Sequence, residues 1–314
     1  MKNKILTGLL LVLIGGWGSL SAQSAGSNYA RQVNTLIGTK GVGLTSGYLY
    51  PGATYPYGMV QFTPSYFSKR SGFVINQLSG GGCEHMGNFP TFPVKGKLKM
   101  SPDNILNYRI NISEEKGHAG YYEAKVQEDI HAKLTVTERT GMASYEYPAD
   151  QQYGTVIIGG GISATPIEQA AIVITAPNKC EGYAEGGNFC GLRTPYKVYF
   201  VAEFDTDALE SGTWKRNELK PNTTFAEGEY SGVYFTFDVN KKKNIQYKIG
   251  VSYVSVENAR ENLKTENSGW DFLQIQNQAE SKWNHYLGKI EVEGNNPDRT
   301  TQFYTHLYRS FIHP

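Results

Sequence analysis

The chain is short of cysteine, of charge imbalance and of long apolar runs, and each shortage narrows what it can be. Three cysteines in 314 residues exclude a disulfide-built miniature scaffold, and a chain of this length buries a sufficient core without one. Lys and Arg number 30 against 29 Asp and Glu, so no long-range field draws the protein to nucleic acid or to an anionic membrane surface. A neutral ligand fits this balance better. The apolar run Ile5 to Ile14 is too short, and too soon interrupted by Gly15, Gly16 and Gly18, to span a bilayer. With Lys2 and Lys4 before it and "SLSAQS" (19 to 24) after it, the run reads as an export signal over residues 1–22, cleaved near Ala22. The mature chain then starts at Gln23 in the periplasm or outside the cell, and no cysteine follows the cleavage point to carry a lipid anchor.

What the chain has in quantity is Gly (35), Tyr (22) and Phe (14), a composition suited to strands joined by many turns. Alternation agrees. Leu134 and Val136 share one face of "KLTVTER", and Tyr196, Val198, Phe200, Ala202 and Phe204 share one face of "PYKVYFVAEF". Val233, Phe235, Phe237 and Val239 do the same in "VYFTFDV", as do Ile245, Tyr247, Ile249, Val251 and Tyr253 in "IQYKIGVSYV". Period two with one apolar face predicts antiparallel sheets, half buried and packed as a β-sandwich. After Val254 the period lengthens. Ser255 caps a predicted helix with Val256, Ala259 and Leu263 on one stripe, and 268–287 continues with Phe272, Ile275, Ala279, Trp283 and Leu287. A strand-like piece, "KIEVEG" (289 to 294), precedes a last helix whose stripe is Phe303, Leu307 and Phe311. That stripe calls for a partner, either a further helical domain or the sandwich itself.

Several stretches, in order, resemble the signatures of the family 92 glycoside hydrolases: "VNTLIGT" (33 to 39), "YPGATYPYGMVQFTP" (50 to 64), "LSGGGC" (78 to 83), "GYYEAKV" (120 to 126), "LTVTERTG" (134 to 141), "VSYVSVENARENL" (251 to 263) and "FYTHLYRSFIHP" (303 to 314). The resemblance implies a calcium-dependent, inverting exo-α-mannosidase, with an α-mannoside glycan as substrate. It also implies a β-sandwich at 23–254, a helical linker at 255–298 and, at 299–314, the start of an (α/α)6 catalytic barrel that supplies the acid, the base and most calcium ligands. On that expectation the chain lacks the catalytic carboxylates and is inactive alone. An inverting enzyme needs its two carboxyl groups about 6.5–9.5 Å apart with a water between them. The alternative is a self-contained secreted sandwich that binds carbohydrate or protein without catalysis.

By the same resemblance, Gly80, Gly81, Gly82 and Cys83 form a loop facing the terminal mannose, with Cys83 as a small packing residue at its wall. Glycines there would admit a sugar close to the backbone. The loop "YPGATYPYG" (50 to 58) is a second candidate wall. Cys83 and His85 stand too close together, with no second ligand pair, for a zinc site, and Glu84 and His85 read either as contacts to a sugar or its neighbour or, as the more ordinary outcome, as a solvent-facing pair. Asp103, Glu123, Asp129 and Glu138 carry no motif, and His118, His131, His285, His306 and His313 are scattered. One departure stands out: "YFSKRSGFVINQ" (66 to 77) lacks the tryptophan and histidines common in the family, so linkage preference does not carry over. Cys180 and Cys190 flank the glycine-rich "CEGYAEGGNFC" and read as a disulfide in an oxidising compartment, leaving Cys83 unpaired. Three reduced thiols are the alternative, since spacing does not fix pairing.

Overall fold

The computed structural model describes residues 28–40, 47–65, 72–103 and 111–313. The export signal at 1–22 and positions 66–71 of the atypical segment lie outside them. Two antiparallel sheets dominate. One runs in the order β1 (Ala53–Thr54), β2 (Gln61–Pro64), β3 (Phe73–Val74), β4 (Thr91–Lys95), β9 (Tyr153–Gly159), β16 (Ser231–Asp238), β13 (Glu210–Lys215) and β14 (Glu218–Pro221). The other runs β15 (Phe225–Glu227), β10 (Ile167–Ala176), β11 (Lys179–Phe189), β12 (Leu192–Phe204), β17 (Asn244–Ser252), β8 (Thr140–Glu146), β7 (Ile130–Val136), β6 (Tyr121–Val126) and β5 (Ile112–His118).

The predicted inward faces meet. Phe200, Phe204, Phe235, Phe237, Tyr247 and Ile249 are buried in one core shared by both sheets. The layers interlock through aromatic rings: Phe73 of one sheet stacks on Tyr145 of the other at 6.3 Å, and Phe235 sits 5.0 Å from Phe204. Such pairs contribute about 0.5–1.5 kcal/mol each beyond the area they bury. The fold is therefore mainly β, an antiparallel sandwich followed by helices.

Four helices flank it among the described residues: α1 (Tyr29–Gln32), α2 (Val256–Glu266), α3 (Phe272–Leu287) and α4 (Pro297–Ser310). Their starts follow from capping chemistry. Ser255, Asp271 and Asn296 each accept a hydrogen bond from a first-turn backbone N–H, and Pro297 occupies the first turn of α4, where a missing N–H does no harm. Ala259 and Leu263 of α2 bury against Val201 on the outer face of the second sheet. Trp283 of α3 is buried and donates its indole N–H to Thr54 O at 2.7 Å, pinning that helix to the β1 strand.

Two expectations need correction. "KIEVEG" forms no strand: the Val292 N–H meets Tyr304 Oη and Tyr304 in turn donates to Ile290 O, both at 3.3 Å, so one tyrosine takes the place of a neighbouring strand. The buried stripe of α4 is Tyr304, Thr305 and Tyr308, continued by Ile312, while Phe303, Leu307 and Phe311 are half-buried beside it. This stripe has its partners within the chain, in α1, α3 and Ala119. Tyr308 Oη also bonds Thr54 Oγ1 at 2.7 Å.

Candidate functional site

The loop joining β3 to β4 carries Gly80 to Cys83, and its shape is set by a histidine. His85 Nε2 accepts the Leu78 N–H at 2.7 Å while Nδ1 donates to Cys83 O at 2.6 Å, so the ring closes the loop on itself. That arrangement demands a neutral imidazole, and burial lowers the pKa of His85 in the same sense. The expected solvent-facing pair is thus divided: Glu84 is exposed, His85 fully buried. Gly80 (φ +84°) and Gly82 (φ +72°) occupy left-handed backbone that favours glycine. At Gly81 a Cβ would stand 2.7 Å from His85 Cε1, so this glycine makes room for the closing ring.

The expected Cys180–Cys190 disulfide is not formed; Cys83 pairs with Cys190, Cα to Cα 5.3 Å, across 107 residues of chain. The cause is that "CEGYAEGGNFC" is a strand, β11, and not an excursion between strands. At about 3.3 Å of rise per residue its ends are roughly 33 Å apart, against the ~7 Å limit for a disulfide. Its glycines mark crowding: at Gly182 a Cβ would stand 2.1 Å from Ala171 O of β10. Cys180 points into the core as a buried free thiol, its pKa raised by burial. The bridge that does form fastens the glycine loop to the tip of the β11–β12 hairpin, and so one sheet to the other.

Beside this loop lies a cavity of about 380 Å³. The β1–β2 connection gives it Tyr57 and Met59, β2 gives Gln61, and the chain after β3 gives Asn76, Gln77 and Leu78. The β7–β8 turn adds Glu138 and Arg139, the end of β17 adds Tyr253, and His313, just beyond α4, closes one side. His313 Nε2 accepts both the Ser79 N–H (2.9 Å) and the Gln61 amide (2.8 Å). The backbone donor fixes the direction of both bonds, so His313 is neutral too, in line with a pKa lowered first by burial and then by His85. Gln61 then keeps its buried Oε1 without a hydrogen-bond partner among the described residues. Asn76 donates to Asn88 Oδ1 (3.0 Å) and Tyr253 Oη (3.4 Å), while Tyr196 donates to the same Asn88 oxygen (2.7 Å). The lining holds one carboxylate, Glu138, and one cation, Arg139, which is already paired with Glu266; amides, a tyrosine hydroxyl and a carboxylate are groups that suit a hydroxyl-rich ligand.

Of the residues expected from sequence, Gly80 to Cys83 flank the cavity and do not line it; their neighbours Leu78 and Met86 do. The "YPGATYPYG" loop divides, with Tyr50 in the core and Tyr57 exposed at the cavity. Glu123 is engaged by Tyr121 and Asp129 by Lys95. Gln61, Glu138 and His313 were not picked out individually by the sequence, since the cavity joins residues as far apart as Tyr57 and His313. Calcium needs six to eight oxygen ligands. Among the described residues no group of three or more His, Cys, Asp or Glu could hold a metal, and the cavity offers one carboxylate, so these side chains do not form a calcium cage.

Family comparison decides the affiliation. The model of the glycosyl hydrolase family 92 N-terminal domain matches residues 32–252, and that of the family 92 catalytic domain matches 258–314. The chain belongs to glycosyl hydrolase family 92. It is 26% identical to an uncharacterized secreted glycosidase of Arthroderma benhamiae over 90% of this chain and 41% of that protein. The structure of an inverting mannosidase of this family from Bacteroides thetaiotaomicron superposes with a TM-score of 0.79 at 26% identity, over 91% of this chain and 40% of that one. A further family 92 glycosyl hydrolase gives 0.81 at 23% identity, over 91% and 41%, and there the likeness is of fold. The chain spans about 41% of the length of the secreted glycosidase it matches. Among the described residues no helix is long and apolar enough to cross a membrane.

Proposed function

We propose that this family 92 chain is the sandwich part of a secreted, calcium-dependent inverting exo-α-mannosidase and supplies one wall of the site for the terminal mannose. The observation that carries the reading is the cavity in which Gln61, Asn76, Glu138 and Arg139 of the sandwich meet His313 beyond α4. It is polar and bordered by the Gly80–Cys83 loop. In this reading Gly80, Gly81 and Gly82 let the loop close tightly around His85 at the border of the sugar site, and Cys83 holds the loop in place through its bridge. The acid, the base and the calcium ligands are assigned to the helical domain, which residues 299–314 begin.

The test is hydrolysis of α-mannosides. A protein in which these residues lead into a complete family 92 catalytic domain is expected to turn over with calcium and to stop on chelation, and the 314-residue chain alone is expected to be inactive. Calcium-dependent hydrolysis by the chain alone would put the chemistry in the wrong half. A complete enzyme inert toward every α-mannoside would overturn the substrate.

A further inference from the structure

A second cavity, of about 280 Å³, opens on the far side of Leu78 and Met86, which line both hollows. Its other wall is the tip of the β11–β12 hairpin: Asn188, Phe189, Thr194 and Tyr196. The character changes across the shared wall. The first cavity offers amides and charges; the second offers the half-buried Phe189 ring, the Leu78 and Met86 side chains and the Tyr196 ring, with Asn188 and Thr194 polar at its rim. The two are coupled through aromatic contacts. Tyr196 of the second cavity and Tyr253 of the first lie 6.4 Å apart edge to face, and both hydroxyls join the Asn76–Asn88 network.

Resting on the mannosidase reading above, we propose that the β11–β12 hairpin tip is the leaving-group wall of this site, with Phe189 stacking on the sugar that follows the terminal mannose. A pyranose has an apolar C–H face and a polar hydroxyl rim, which matches a ring floor with polar groups at its edge. A glycoside held with its terminal unit in the polar cavity has its next unit directed over Leu78 and Met86, because those side chains are the shared wall. The Cys83–Cys190 bridge and the 5.2 Å contact between His85 and Phe189 hold this wall in register with the glycine loop. The chain lacks a tryptophan and a histidine in "YFSKRSGFVINQ"; the hairpin supplies an aromatic surface from elsewhere in the sequence.

The experiment measures binding of the full 314-residue chain to methyl α-mannoside and to α-linked mannobioses by saturation-transfer NMR titration. The expected result is one mannobiose bound about fivefold to tenfold more tightly than the methyl glycoside, from one added stacking contact. Phe189→Ala should erase that difference while leaving methyl α-mannoside affinity within about twofold, and Phe189→Tyr should restore it. An unchanged thermal melt and an intact Cys83–Cys190 bridge show that Phe189→Ala is folded; a misfolded variant leaves the decision to the wild-type preference and to Phe189→Tyr. Binding of methyl α-mannoside with no preference for any mannobiose, or a preference that survives Phe189→Ala, overturns the leaving-group wall and leaves the mannose reading standing. Binding of neither sugar also overturns the leaving-group wall as a property of this half, while the mannose reading is decided separately by hydrolysis in the complete enzyme.

Discussion

Cys190→Ser removes the bridge between the glycine loop and the hairpin, and its effect can be worked from the loop it closes. With Cys83 and Cys190 separated by 107 positions, the chain-entropy relation gives about 4.8 kcal/mol of stabilisation at 25 °C, against about 2.7 kcal/mol for a ten-residue loop such as Cys180–Cys190 would close. The larger figure is an upper estimate, because a denatured chain with residual structure has less entropy to lose. For a domain of this size it corresponds to a fall in melting temperature of roughly 10–20 °C.

The assay is urea denaturation of wild type, Cys83→Ser, Cys190→Ser and the double variant, with non-reducing peptide mapping of each. Both single variants and the double should lose the same 4–5 kcal/mol or somewhat less, because either change removes the one bond. Cys180→Ser should behave differently: the map stays intact, and the loss of about 1–3 kcal/mol comes from burying a hydroxyl where a thiol packed. A peptide linking Cys180 to Cys190, or Cys83 alkylated in the unreduced protein, would refute the pairing. Full additivity of the two single variants would refute the entropic reasoning.

Other outcomes follow from titratable groups and glycines. Glu280 is nearly buried; burial would raise its pKa, but hydrogen bonds from His118, Arg31 and Gln276 outweigh this and pull it down to about 2. Its contribution should be complete above pH ~4.5 and vanish as pH falls toward 2, on the order of 2–3 kcal/mol after allowing for the half-exposed Arg31, so Glu280→Gln should flatten the acid limb of a stability–pH curve. His85 and His313 have folded pKa values below the ordinary range, so the loop they close is favoured above about pH 6.5 and weakened below it. The protection factors of the Leu78 and Ser79 amides, corrected for the intrinsic slowing of exchange at lower pH, should fall on acidification more than those in β11, and an equal fall would count against the clamp. Gly81→Ala should disturb His85, whereas Gly82→Ala meets only an ordinary contact with Tyr48 at 3.9 Å and carries mainly the ~1 kcal/mol strain of left-handed backbone; only the first should shift the His85 imidazole resonances.

The elements that were legible in the sequence are those whose signal is local. Val233, Phe235 and Phe237 alternate because that face of β16 packs on the other sheet, even though Tyr234 and Thr236 on the opposite face are buried too, and Ser255 announced α2 because a cap acts within one turn. The failures have the opposite character. "CEGYAEGGNFC" looked like a loop because glycine is ambiguous between a turn and a tight strand contact; only the neighbouring strand β10 makes it the latter. In α4, hydropathy selected Phe303, Leu307 and Phe311, yet Tyr304 and Tyr308 take the interior because their hydroxyls find Ile290 O and Thr54 Oγ1 there. His85 and His313 looked idle since their donors, the backbone amides of Leu78 and Ser79, leave no mark in sequence.

Arg309 explains why three of the family-like stretches lie far apart in sequence and together in space. Its guanidinium is largely buried in α4, with burial lowering its pKa, and it donates to Thr35 O (2.6 Å) and Ile37 O (3.4 Å) of "VNTLIGT" and to Tyr50 O (3.0 Å) at the start of "YPGATYPYG". No carboxylate pairs with it among the described residues; backbone carbonyl dipoles take that role. A guanidinium can reach several carbonyls at once from a fixed plane, which a lysine ammonium on a flexible stem does less well. The consequence is geometric. The stretch before β1, the loop that delivers Tyr57 to the cavity and the helix that delivers His313 are all referred to one cation, so the polar cavity inherits its shape from the seam between sandwich and helix. Whatever enters that cavity is read by both parts at once.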